Sequence, residues 1–166
     1  MTPKIDVPLR KRKRGPRKKF KDELSWKRNR KKLRNSGKEY INSKQKIVPV
    51  KQCNGSDCDC IKECQKQISF DQRYQIFFEF YALGDHNLQT SFLCGQIKLI
   101  NKLRSTTATD SKRKYTRIYY LLSEHGVDVR VCKSFFKKTL QVSDGRLTRA
   151  LRGKQIGQTP TKDRRG

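Results

Sequence analysis

An excess of positive charge on a lean apolar framework constrains this chain more than any motif in it. Of its 166 residues, 41 are Lys or Arg and 15 are Asp or Glu, a formal net charge of +26, while 33% are hydrophobic. Charge of that size repels itself in a compact monomer unless a polyanion screens it, and so small an apolar fraction supports only a small core. Phosphate backbones are the commonest polyanions in a cell, so nucleic acid is the expected partner. A membrane-surface protein would add a helix with a broad apolar face, and a spanning segment needs roughly 20 apolar residues in succession. Neither pattern is legible, and Met1–Leu9 runs straight into cations with no apolar stretch of a secretory leader behind it. The chain is therefore expected in the reducing interior, where its six cysteines read as metal ligands or buried thiols in preference to disulfides.

The charge is concentrated at the start, where residues 1–50 hold 19 Lys or Arg and 4 acids. Residues 1–21 read as a disordered basic arm, because Arg10, Lys11, Arg12, Lys13 and Arg14 follow one another without an apolar anchor and Gly15-Pro16 breaks any helix. Residues 22–50 read as a basic helix and linker: a helix over Asp22–Asn35 with acids in its first turn and cations in its last, a stop at Gly37, and an extended stretch at 46–50. Residues 51–100 combine a cysteine-rich motif with two helices. Ser69 and Gln72 have the side chains of a capping box, which predicts a helix over 73–83 with Ile76, Phe77, Phe80, Tyr81 and Leu83 on one face. Asp85 can cap a second helix from His86 to about Ile100, with Leu88, Phe92 and Leu93 facing the first.

Residues 101–114 form a polar basic loop in which Lys112, Arg113 and Lys114 are candidate phosphate contacts. Over residues 115–153 the pattern becomes a β-hairpin, Tyr115–Leu122 and Val127–Val131 about a turn at Glu124-His125-Gly126. A helix over Lys133–Leu140, a break at Gln141-Val142-Ser143 and a helix over Asp144–Arg152 follow, closed by Gly153. Residues 154–166 read as a linker. The expected fold is mainly α with a small β-hairpin: a zinc-stabilised helical scaffold, then a helix-turn-helix-like unit, behind the disordered basic N-terminal arm.

Cys53, Cys58, Cys60 and Cys64 put four thiols within a dozen residues, enough for one tetrahedral ion, with zinc the natural occupant. Their spacing is not a common zinc-finger signature, and free thiols that happen to lie close are the alternative. A complete thiolate shell leaves no open position for activated water, so such a site would be structural. Cys94, inside an apolar helix, and Cys132, at a strand end, read first as small core residues, although either can replace Cys53 as the fourth ligand.

In the carboxy-terminal unit Phe135, Phe136, Leu140, Leu147, Ala150 and Leu151 fall where they pack the two helices together, leaving Arg146, Arg149 and Arg152 along one outer face suited to a major groove. Arginines there can pair with guanine edges or clamp phosphates; a plain helical hairpin with a solvated basic face is the alternative. Arg10–Arg14 suit both a nuclear import signal and a phosphate-binding arm. Arg14-Gly15-Pro16-Arg17 departs from the Gly-Arg-Pro core of minor-groove hooks. No catalytic set is legible: His86 and His125 lack triad partners, Ser36-Gly37-Lys38 lacks the frame of a phosphate-binding loop, and Asp110, Asp128 and Asp144 are scattered.

Four stretches carry a resemblance: Lys32-Leu33-Arg34-Asn35-Ser36-Gly37-Lys38-Glu39-Tyr40; Cys58-x-Cys60-x3-Cys64; Phe78-Glu79-x-Tyr81-x-Leu83-Gly84-Asp85; and Val131-Cys132-Lys133-x-Phe135-Phe136-x4-Leu140. Over residues 28–166 the chain resembles the amino-terminal region of transposon-derived proteins of animals. In longer members a core resembling RNase-H-like transposases and integrases follows. The resemblance implies the DNA-binding half of such a protein without the catalytic half. The expected function is thus nuclear, non-enzymatic binding of duplex DNA, with an RNA-binding accessory protein or a mobile-element remnant of nonspecific polyanion affinity as alternatives.

Overall fold

Caps and turns set most element boundaries in the computed structural model, which describes residues 22–53, 58–102, 115–152 and 154. The first helix, α1 (Lys27–Asn35), starts later than its charges predict, because extended backbone at Trp26 separates it from a 3-10 turn over Glu23–Ser25. Gly37 ends the segment at φ 67°, a left-handed conformation that glycine adopts without a Cβ penalty. The extended stretch expected at 46–50 becomes half of a short antiparallel hairpin, β1 (Tyr40–Ile41) with β2 (Ile47–Val48).

After the short α2 (Cys64–Gln67), Ser69 Oγ accepts the backbone N–H of Gln72 at 3.2 Å and opens α3 (Phe70–Ala82). The reciprocal arm of the capping box is not made. Gln72 Nε2 instead donates to the carbonyl of Leu122 at 3.1 Å, and the Ser69 hydroxyl donates to the Glu124 carboxylate, so the cap ties the helix to the hairpin beyond it. Asp85 accepts the N–H groups of Asn87 and Leu88 at 2.7 and 3.2 Å and opens α4 (His86–Gly95).

This second helix is shorter than expected. Its last predicted turn is β3 (Ile97–Asn101), which pairs antiparallel with β4 (Tyr115–Leu122) from Ile97↔Tyr119 to Asn101↔Tyr115. The ladder to an eight-residue strand satisfies backbone groups that a further turn of helix would have served, and Gly95 marks the change. The expected hairpin is present as β4 with β5 (Asp128–Val131), so the main sheet has the order β3-β4-β5. Among the described residues the chain is accordingly a mixed fold of six α-helices and two small antiparallel sheets, not a mainly helical one.

The carboxy-terminal helices fall where the sequence puts them, α5 (Lys133–Leu140) and α6 (Asp144–Leu151), across a break whose first residue, Gln141, sits at φ 50°. Helix α5 packs between α3 and β4, and α6 lies against α4. Phe80, Leu93, Ile97, Leu121, Phe135, Phe136, Leu140 and Leu147 are all at most 2% exposed. Each such side chain contributes about 1.5–3 kcal/mol relative to its exposed state. Leu88, expected to face α3, is instead more than half exposed. Arg73 lies inside this apolar layer, donating from Nε to Thr139 Oγ1 at 3.2 Å with its guanidinium 4.4 Å from the Phe135 ring centroid. Among the described residues no helix is long and apolar enough to cross a membrane.

Candidate metal centre and basic groove

The cysteine cluster is built by two tight turns brought against the end of a strand. Glu63 adopts a left-handed conformation at φ 46° and its N–H donates to the Cys60 carbonyl at 2.9 Å, so the chain doubles back and sets Cys64 beside Cys60. Cys58 Sγ and Cys64 Sγ each lie 3.4 Å from Cys60 Sγ. The fourth thiol is Cys132, and the four sulfur atoms are all within 4.8 Å of one another.

Cys132 is the residue between β5 and α5, and its Sγ accepts the backbone N–H of Phe135 at 3.3 Å as the cap of that helix. Cys132 N–H in turn donates to Cys64 Sγ at 3.3 Å. Cys53, expected among the ligands, lies outside the group. It packs partly buried against the core, while the pairing of β4 with β5 delivers Cys132 to the cluster from far along the chain. Cys94 is the core residue that its apolar helix predicts, buried with its thiol donating to the Ala150 carbonyl at 3.3 Å.

A tetrahedral ion with Zn–S bonds of about 2.3 Å needs sulfur separations of about 3.8 Å, a value inside the range the four thiols span. The donor set therefore fits one thiophilic divalent ion held by a closed shell. Burial pushes the Cys58 and Cys64 thiols up. Burial also opposes ionisation of Cys60, but hydrogen bonds from the Cys58 and Cys64 thiols and from the amides of Lys62 and Cys64 outweigh it and bring that thiol down to about 6. A bound cation would have to displace the protons that burial holds on Cys58 and Cys64.

Beside the thiols lies a groove of about 950 Å³ against all three strands of the main sheet. Lys62, Arg117, Arg130, Lys133, Arg152 and Lys154 line it, and among the described residues no Asp or Glu does. Cys132 is on the same wall, so the cysteine cluster and the groove share a boundary at the β5–α5 junction. Arg117 Nη1 donates to Thr148 Oγ1 of α6 at 3.4 Å, and Lys154 Nζ to the carbonyls of Cys94 and Ile97, the latter at 2.9 Å. These bonds pre-set two of the cations. Lys62, Arg117 and Arg130 are invisible to sequence reasoning because they come from a turn and two strands, which no linear run of charge reveals.

The arginine face expected on α6 is only partly formed. Arg149 and Arg152 are exposed, but Arg146 turns toward α4, where its Nη2 donates to the His86 carbonyl at 3.2 Å and its Nη1 meets the His86 ring. Packing α6 on α4 leaves position 146 at the seam. Arg10–Arg14 and Lys112–Lys114 lie outside the described residues. Comparison with protein-family models, with curated proteins and with solved structures yields no match.

Proposed function

We propose that the protein binds duplex DNA along the basic groove, with a structural zinc ion on Cys58, Cys60, Cys64 and Cys132 fixing one wall of it. The observation that carries this reading is the groove itself, six cations with no carboxylate among the described residues, against three strands of a sheet. Phosphate contacts from Lys and Arg release counterions and supply affinity on any sequence. Base reading falls to Thr148, Arg149 and Arg152, which are exposed along α6 and at its end, where Arg152 lines the groove. The helix, three-residue break and helix of α5 and α6 thus serve as a helix-turn-helix-like unit, with Arg146 as a brace in place of a reader.

Arg10–Arg14 and Lys112–Lys114 add phosphate contacts, and Arg10–Arg14 also engage an import receptor, giving a nuclear protein. The resemblance to transposon-derived proteins supports descent from a mobile element in which this region carries DNA binding. Of the three β4 tyrosines that could stack on unpaired bases, Tyr115 alone is exposed and lines the groove. Tyr119 is buried with its ring 5.2 Å from Phe136, and Lys98 covers Tyr120 at 4.5 Å.

The reading is tested by competition. A labelled duplex bound to the zinc-loaded full chain should be displaced by unlabelled duplex DNA far more readily than by single-stranded RNA of equal length. Equal displacement by RNA, duplex DNA and heparin would refute it.

A further inference from the structure

A second cationic cavity, of about 330 Å³, lies where α1, the segment after β2, α4 and the α5–α6 break meet. Arg34, Lys51, His86, Arg146 and Arg149 line it together with Tyr81, and among the described residues no Asp or Glu does. The inner cations are held in place. Lys51 Nζ donates to the Gln141 carbonyl at 2.5 Å and lies 5.7 Å from the Tyr81 ring centroid. The bonds from Arg146 to His86 fix the guanidinium across the cavity. Burial, and after it the positive charge of Arg146, draws Lys51 below the ordinary lysine range, the mark of cations gathered without a counter-charge among the lining residues. The acid of α6 does not relieve it, because Asp144 is engaged by Lys133 and Lys137 at 2.6 and 2.7 Å.

Folding has thus assembled, from four separate parts of the chain, a concave site of one charge sign and of a volume in the range of ligand pockets, about 300–1,000 Å³. Guanidinium forks match phosphate oxygens in pairs, and a lysine supplies a point charge to the same anion. We propose that this cavity binds one phosphate group, with Lys51 and Arg146 as inner donors and Arg34 and Arg149 at the exposed rim. The assignment stands on the cavity alone and does not depend on the groove.

Inorganic phosphate titrated into the metal-loaded full chain at constant ionic strength, followed by calorimetry, tests it. Saturable binding is expected, weakened at least about fivefold, or by roughly 1 kcal/mol, in Arg34→Gln/Arg149→Gln, whose altered residues are exposed and spare the core. Lys98→Gln, an exposed lysine outside the cavity, should leave binding unchanged. Absence of phosphate binding, or equal weakening in both variants, would overturn the assignment. Competition by thymidine 5′-monophosphate identifies a strand end as the source of the phosphate, and competition by a dinucleoside phosphate identifies an internal backbone position. Failure of both to compete would also overturn it. Loss of the groove reading would show separately, as duplex binding indifferent to Arg117 and Arg130.

Discussion

Cys64 Sγ accepts the backbone N–H of Cys132 at 3.3 Å, a contact between residues 68 apart in sequence that seats the cysteine cluster on the first turn of α5. A metal ion at this point would join the loop before α3 to the β5–α5 junction. Cys132→Ser should therefore abolish stoichiometric zinc and cost roughly 4 kcal/mol or more in stability, the scale of a lost metal site. Cys53→Ser should keep one zinc per chain. Metal analysis of the purified variants, with urea unfolding, checks both.

Metal uptake should release fewer protons than there are ligands. Cys60 ionises near 6, whereas burial keeps Cys58 and Cys64 protonated at neutral pH. Protons compete with the metal for thiolates, so zinc affinity should fall as pH drops through the neutral range, and more steeply below about pH 6, where Cys60 also takes up a proton. Calorimetric titrations in buffers of different ionisation enthalpy give the number of protons released.

Asp144 joins the start of α6 to α5 through Lys133 and Lys137, and hydrogen bonds from these lysines draw its carboxyl down to about 2 from an ordinary 3.8. A carboxylate with a lowered pKa in the folded state stabilises above its unfolded value and loses that contribution as pH falls through the folded one. Asp144→Asn should lower Tm at pH 7 by a small margin, and the difference from wild type should vanish between about pH 4 and pH 2. A Tm–pH series on both proteins shows whether it does.

Gly37 and Gly126 make a controlled pair. Both have positive φ, 67° and 73°, but a Cβ on Gly37 would lie 2.9 Å from Tyr81 Cδ1, whereas one on Gly126 would meet nothing within 4 Å. Gly126→Ala should cost about 1 kcal/mol for the backbone alone, and Gly37→Ala about 1–3 kcal/mol more for the ring it displaces. Chemical denaturation of the two variants gives the difference.

The parts legible in the sequence are those encoded locally. Ser69, Asp85 and Ser143 cap helices through their own side chains, and the Gln141–Ser143 break separates two runs whose apolar residues are all buried. What stays hidden depends on pairing across long gaps. Ile97–Asn101 is strand only because β4 returns alongside it, and the choice of Cys132 over Cys53 and Cys94 as the fourth thiol is made only by the return of β5 beside Cys64. One local sign is present, a cysteine in the cap position just before the run Lys133–Leu140. Arg146 shows the reverse: helical periodicity puts it with Arg149 and Arg152, but the neighbouring α4 captures it.

The salt dependence of duplex binding tests the central claim most directly. Removing one cation from a phosphate should reduce the slope of log K against log salt by about 0.9, so Arg117→Ala/Arg130→Ala/Arg152→Ala should flatten it by roughly 2–3 and weaken binding at moderate ionic strength. A slope unchanged by the three substitutions, or a wild-type chain that ignores duplex DNA at that ionic strength, would contradict the assignment of the groove to phosphates.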